Sequence, residues 1–252
     1  MFVKPPSQAV FYFKKENMKK NNESSSAWKI WSTQENGTWE KLFSRQLPQM
    51  EKWGSSLWLK GQNRLQLNLK EIPNFDRLNT VFMDETEWQL NPTSTVFADG
   101  QSWFQTLASH HFMITQYIRP QESLDYTPMP DVFHDSFGHL PFLMDTQFSR
   151  IIDTYSKVML KAPPLLRKKL GHIWWFTVEF GMIKENSELK ILGAGIASSF
   201  AETQRVMSGM VVIEPFNPEV IGAMKESHHE FHDKIFCLES LDQLEQWIEH
   251  YI

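Results

Sequence analysis

Residues 130–139 read PDVFHDSFGH and residues 174–181 read WWFTVEFG. Together they set His134 and His139 five positions apart and Glu179 forty positions further on, each among aromatic neighbours. Glu179 is the most telling of the three. A carboxylate in an apolar run is costly unless it is paired or takes up a proton, so it calls for a cation. Two histidines and one carboxylate are the ligand set of the non-haem iron(II) facial triad, which keeps positions open for other ligands. On an ideal α-helix, residues five apart are rotated by about 140°, so the two histidines do not share a face as an i, i+4 pair does. Gly138 and Pro141 therefore predict that the helix ends there, letting His139 swing toward His134.

Spacing alone leaves a second reading open, in which both histidines are satisfied core residues and Glu179 pairs with an arginine. Zinc hydrolases fit less well, because His134 to His139 is one residue too long for an HExxH pair. The iron oxygenases built on a β-jelly roll use a His-x-Asp/Glu order that this chain does not present, and a different fold.

Outward from this centre the chain reads as helices. Trp39, Leu42, Phe43 and Leu47 give one apolar face to a helix that starts near Ser32, and Pro48 is expected to end it. Residues 49–90 alternate short apolar clusters with Gly54, Gly61, Pro73 and Asn74, predicting short helices and turns. Asp99 is a cap for a helix with Trp103, Leu107 and Phe112 on or near one face, and Met113 to Ile118 reads as a strand stopped by Pro120. Pro128 and Pro130 fix the approach to the helix that carries His134. Beyond it, Phe148, Ile151, Ile152, Tyr155, Val158 and Met159 recur at helical spacing, and Pro163 and Pro164 separate that helix from a second one through Phe180. A strand at Leu189 to Leu192 and a turn at Gly193 and Gly195 lead to a third helix ending near Met207. Leu241, Leu244, Trp247, Ile248 and Tyr251 close the chain with an amphipathic helix. There is no repeat and no internal linker. The expectation is one mainly α domain with minor short β-strands over residues 27–252, after a polar N-terminal arm at 1–26.

With 252 residues the chain buries roughly three quarters of its extended surface, enough for one full-sized core. It has 41% hydrophobic and 22% charged residues, which excludes wholesale disorder. Lys plus Arg number 25 against 30 Asp plus Glu, so no basic footprint points to nucleic acid or an anionic membrane. Cys237 is the sole cysteine, which excludes an internal disulfide and a thiolate metal cluster and fits a reducing cytoplasm. The apolar patch Ala9 to Phe13 is too short for a signal segment, and the uncharged stretch Gly100 to Ile118 is too polar for a membrane span.

Five words of the sequence carry a family resemblance. They are TQYIR at 115–119, YTPMPD at 126–131, HDSFGH at 134–139, WFTVEFG at 175–181 and GAGIASS at 193–199. In order and spacing they resemble the pterin-dependent aromatic amino acid hydroxylases, from about Trp31 to the end, and look most like the compact bacterial phenylalanine 4-hydroxylases. The resemblance implies a helical basket around one non-haem iron(II), with a tetrahydropterin such as tetrahydrobiopterin and O₂ as co-substrates. The reaction it implies is ring hydroxylation of an aromatic amino acid, L-phenylalanine to L-tyrosine first, with tryptophan or tyrosine as alternatives. A metal-binding protein on this scaffold that has lost pterin chemistry is the reading from another class.

Residue by residue, the resemblance makes His134, His139 and Glu179 the iron ligands and Arg119 the clamp on the substrate carboxylate. Thr127, Pro130, Trp175, Phe180, Gly195 and Ser198 match the amino acid pocket. Trp103 and Asp135 match the pterin side, where the family usually has Phe and, in animals, Glu; Ala98 and Gly100 depart from the animal pterin loop. Asp131 is a candidate acceptor for fixing a histidine tautomer, with a helix cap as the alternative. Glu202 matches an acid beneath the pocket, with a solvated helix charge as the alternative. Trp103, Trp175 and Phe180 also read as core. Nothing in the family matches His228-His229-Glu230-Phe231-His232, whose i, i+4 histidines read as a helix face, and His110, His111 and His172 read as structural. Animal relatives carry regulatory and tetramerisation segments for which the chain leaves no room, so a cytoplasmic monomer is expected.

Overall fold

The computed structural model describes residues 27–95, 100–125, 127, 129–224 and 232–252. The arm at 1–26, Ala98 and the Asp99 cap, Tyr126, Pro128 and the histidine cluster at 228–231 lie outside the described residues.

Helix α1, Thr33–Trp53, starts from a capping box in which the Ser32 hydroxyl accepts from the Glu35 backbone N–H and the Glu35 carboxylate accepts from the Ser32 N–H. It does not end at Pro48. Pro48 and Ser44, whose carbonyl would otherwise accept from the N–H of residue 48, are both exposed. Buried Leu42, Phe43, Gln46 and Met50 hold both halves in the core, which outweighs a penalty of about 3 kcal/mol for an interior proline. Helices α2 (Ser56–Leu65) and α3 (Phe75–Thr86) follow, then strand β1 (Gln89–Thr93), helix α4 (Gly100–Leu107) and strand β2 (His111–Thr115). Phe112 therefore belongs to a strand and not to the preceding helix. Strand β2 runs parallel to β1 and ends where β1 ends, at the Thr93–Thr115 pair, short of the expected Ile118.

The π-helical turn His134–His139 continues without a break into α5 (Leu140–Leu143), and α6 (Thr146–Lys161) follows from the Asp145 cap. Helix α7 (Pro164–Trp174) runs into a second π-helical turn, Trp175–Glu179. Strands β3 (Gly181–Glu185) and β4 (Glu188–Ile191) form a hairpin whose two turn residues, Asn186 and Ser187, both have positive φ, as a I′ turn demands. Helices α8 (Ala194–Ala197) and α9 (Phe200–Met207) replace the single helix expected there, because the Ser199 hydroxyl caps a fresh start. Strand β5 (Val212–Pro215), helix α10 (Pro218–Gly222), strand β6 (Lys234–Leu238) and helix α11 (Leu241–Glu249) complete the chain. The larger sheet has the order β4-β3-β6-β5, with β6 parallel to both neighbours.

The core positions the centre. Phe133 and Phe137, i and i+4 on one face, are fully buried, stack at 4.7 Å, and pack against Trp39 and Phe43 of α1. The Trp58 indole donates to the Phe137 carbonyl at 2.8 Å. Gly61 lets α2 meet α5 backbone to backbone, since a Cβ there would lie 1.9 Å from the Pro141 oxygen. The buried Gln46 amide donates to the Ala197 carbonyl and the Thr203 hydroxyl, tying α1 to α8 and α9. Among the described residues no helix is long and apolar enough to cross a membrane.

Candidate metal centre and aromatic pocket

Both π-helical turns serve the same geometry. The Leu140 N–H donates to the Asp135 carbonyl and the Phe180 N–H to the Trp175 carbonyl at 2.8 Å, each five residues back. The wider turn brings residues five apart toward a common face. His139 therefore reaches His134 inside a continuous helix, and not because the helix ends at Gly138. The Nε2 atoms of His134 and His139 lie 3.1 Å apart. Glu179 Oε1 is 3.4 Å from His139 Nε2 and Oε2 is 3.6 Å from His134 Nε2. All the ligand atoms of this trio lie within 4.8 Å of one another.

Which nitrogen faces the centre is set by Ser198. Its hydroxyl donates to the Ala194 carbonyl at 2.8 Å, so its oxygen accepts from His134 Nδ1, 2.9 Å away. The Nε2 lone pair is thereby turned to the trio. Asp131 does not play this part: it accepts from the His134 backbone N–H. Ser198, expected in the substrate pocket, is thus engaged beneath it. Ser198→Ala is expected to weaken metal binding by about 10–100-fold, the usual effect of losing such a partner, read by titrating metal into the apoprotein.

The electrostatics suit a cation. Burial alone would raise Glu179, but the charge and hydrogen bond of His139, with His134 and the Trp174 indole, hold it at about 2. Burial and the neighbouring His139 charge lower His134 to about 4. His139 is raised, the Glu179 charge and hydrogen bond outweighing burial. Two converging imidazole nitrogens and a carboxylate with no thiolate fit iron(II).

Arg119 is 2% exposed and Asp131 is fully buried. Arg119 Nε and Nη2 donate to the two Asp131 oxygens at 2.7 and 2.9 Å, a bidentate pair. Two of the guanidinium's five donors are committed there, and its outer edge remains for a carboxylate. Burial would raise Asp131, but Arg119 and the backbone N–H groups of Arg119 and His134 hold it below the usual range.

On the other side, Trp175 and Phe180 are partly buried with ring centroids 4.7 Å apart. Gly195 lies under the Phe180 ring: a Cβ there would be 2.6 Å from Phe180 Cζ. Pro130 and Thr127 are partly exposed, and the Thr127 hydroxyl donates to the Met129 carbonyl. Of the residues matched to the pterin side, partly buried Trp103 stands edge-on to buried Phe112, whose ring is 5.3 Å from that of His139. The Asp135 carboxylate is buried and accepts from the Thr115 N–H at 2.7 Å, with burial raising it to about 7.

Glu202 is 4% exposed, so it is not a solvated helix charge, and burial raises it to about 7. An acid raised in the folded state costs stability as pH rises from its unfolded value near 4.5 to about 7, and the cost is complete above that. Glu202→Gln is expected to raise the melting temperature at pH 8 and to change it little at pH 4.5, with a ceiling of about 3 kcal/mol. Thermal unfolding at the two pH values checks this; an equal shift at both would contradict it.

One pocket residue escaped the sequence reading. His232 is buried, accepts from the Trp175 indole, and lies just before β6 and not on a helix. Its spacing from His228 suggested a helix face; its place two residues ahead of the run KIFCL was the better signal.

The profile of the biopterin-dependent aromatic amino acid hydroxylases matches residues 17–252. The phenylalanine-4-hydroxylase of Pseudomonas aeruginosa is 35% identical over 184 residues, 73% of this chain and 70% of that protein. That of Vibrio cholerae is 34% identical over 69% of this chain, a stretch spanning 60% of the relative's length. The structure of Chromobacterium violaceum phenylalanine hydroxylase with bound iron(III) and 7,8-dihydrobiopterin superposes with a TM-score of 0.81 at 30% identity, covering 85% of this chain and 78% of that one.

Proposed function

This chain belongs to the biopterin-dependent aromatic amino acid hydroxylases, and on that premise we propose that it is an iron(II)- and tetrahydropterin-dependent monooxygenase that converts L-phenylalanine to L-tyrosine. The observation that carries the reading is the convergence of His134, His139 and Glu179 on two π-helical turns. These three would hold the iron. With tetrahydropterin and O₂, the iron supplies the oxidising power that the side chains of this chain lack.

The protein's part is binding and orientation. The outer edge of Arg119 takes the substrate carboxylate, and Asp131 keeps the guanidinium plane fixed for it. Trp175, Phe180 and Pro130 enclose the ring, with Gly195 leaving room for Phe180. Trp103 and Asp135 stand on the pterin side. A cytoplasmic monomer is the proposed form, in keeping with a net charge of −5 and a buried, free Cys237.

Ring preference follows from the polar groups. The Thr127 hydroxyl donates to the Met129 carbonyl and that of Ser198 to the Ala194 carbonyl, so neither has a proton left to give a para hydroxyl. Tyrosine would bury its hydroxyl at a cost of about 1–3 kcal/mol, and tryptophan needs more volume. Competition among the three amino acids at equal concentration, followed by product chromatography, is expected to rank Phe first, Trp slower and Tyr last. Predominant 5-hydroxytryptophan or DOPA would overturn the substrate while leaving iron and pterin in place; no pterin-dependent product at all would overturn the hydroxylase reading.

A further inference from the structure

Strand β3 begins at Gly181, directly after Phe180, and β6 runs parallel beside it with Gly181 paired to Phe236. The chain leading into β6 therefore passes the Trp175 and Phe180 wall, and His232 is the residue set against it. His232 is 8% exposed. Its ring stands edge-on to Phe180, Phe176 and Trp175, with centroids 4.8, 5.1 and 5.9 Å away. Trp175 Nε1 is 2.8 Å from His232 Nε2. An indole N–H only donates, so Nε2 accepts, and the neutral ring carries its proton on Nδ1.

Of the two wall rings, Trp175 is the one with a polar edge. It is partly exposed, and an aromatic χ2 torsion has two broad wells about half a turn apart. The two orientations point the indole N–H in different directions. Accepting that N–H selects one of them, and the selected one turns the donor to His232 and away from the bound ring.

We propose that His232 is a positioning residue that locks the Trp175 indole in one orientation and so sets the tightness and apolar character of the aromatic-ring subsite. The inference rests on the reading of Trp175 and Phe180 as the substrate wall. It adds a specificity determinant outside the family words in which the other pocket residues lie.

His232→Phe keeps a flat ring but has no acceptor, whereas His232→Gln keeps an acceptor. In protein labelled with ¹⁵N-tryptophan, the Trp175 indole N–H resonance, identified by its loss in Trp175→Phe, is expected to move upfield in His232→Phe and to stay near its native position in His232→Gln. This can be read in the metal-free chain. In iron-loaded protein, His232→Phe is expected to raise KM for phenylalanine about 5–10-fold, the loss of one hydrogen bond, with the loss falling on that KM and not on kcat or the pterin KM. His232→Gln is expected to recover most of it. An unmoved indole resonance overturns the hydrogen bond. A moved resonance with unchanged phenylalanine KM overturns the positioning role, and so does equal damage to kcat and both KM values in both variants. Absence of hydroxylation in the native chain is a separate result that removes the reading of the wall itself.

Discussion

His139→Ala is expected to yield a folded chain that binds essentially no iron and shows no pterin-dependent hydroxylation, with activity lower by at least about three orders of magnitude, the scale on which members of one catalytic unit act. The imidazole contributes twice. Its Nε2 is one of three converging donors, and its charge and hydrogen bond are the main influences that hold the partly buried Glu179 low against desolvation. Without it, Glu179 and His134 form a two-point site in a place where the carboxylate prefers a proton. His134→Ala is expected to do the same, while Ser198→Ala, which removes only an orienting partner, falls in between. Elemental analysis after iron loading, with circular dichroism as the folding control, checks the series. Full iron content in either histidine variant would falsify the ligand assignment.

What residue chemistry made legible was that Glu179, a carboxylate among Trp174, Trp175, Phe176, Val178 and Phe180, needs a cation or a proton; spacing left an arginine partner open, and it was the family resemblance that joined His134 and His139 to it as a ligand set. How the histidines meet was not legible. The α-helical rotation of five residues predicts separation, and the helix stop inferred from Gly138 and Pro141 was a repair of that mismatch; the protein instead inserts a π-helical turn, which no pattern of apolar residues announces. Pro48 is a similar case, where local propensity says stop and the burial of Met50 says continue. Four of the six described strands, β1, β3, β5 and β6, went unpredicted. They have four or five residues, too few for alternation to stand out. Short polar words hid their roles in another way. Nothing in GAGIASS tells whether Ser198 faces substrate or His134, because a hydroxyl is the same donor and acceptor in both settings.

Arg119→Ala is expected to lose about 3–5 kcal/mol of folding stability, because it strands Asp131 as a buried, unpaired charge. From sequence alone the variant promised a selective loss of amino acid binding. The structure makes the guanidinium half of a buried bidentate pair whose acid also receives the backbone N–H groups of Arg119 and His134. The destabilisation has a pH signature. Asp131 is depressed in the fold, so its contribution is present above its unfolded value near 3.8 and fades as pH falls through the lower folded value. Removing Arg119 should therefore cost most at neutral pH and much less near pH 4, where the stranded acid takes up a proton. Stability and substrate clamping are separated by replacing both partners: Arg119→Met with Asp131→Asn leaves no stranded charge and keeps an amide oxygen to accept a backbone N–H. That double variant is expected to regain most of the melting temperature while its phenylalanine KM stays raised about tenfold or more, the size of one lost charge-assisted hydrogen bond. Urea unfolding at pH 7 and pH 4, alongside phenylalanine and pterin KM values, checks both halves. A double variant with native phenylalanine KM would leave Arg119 as a structural residue only, because the outer edge of its guanidinium would then do nothing that a thioether cannot.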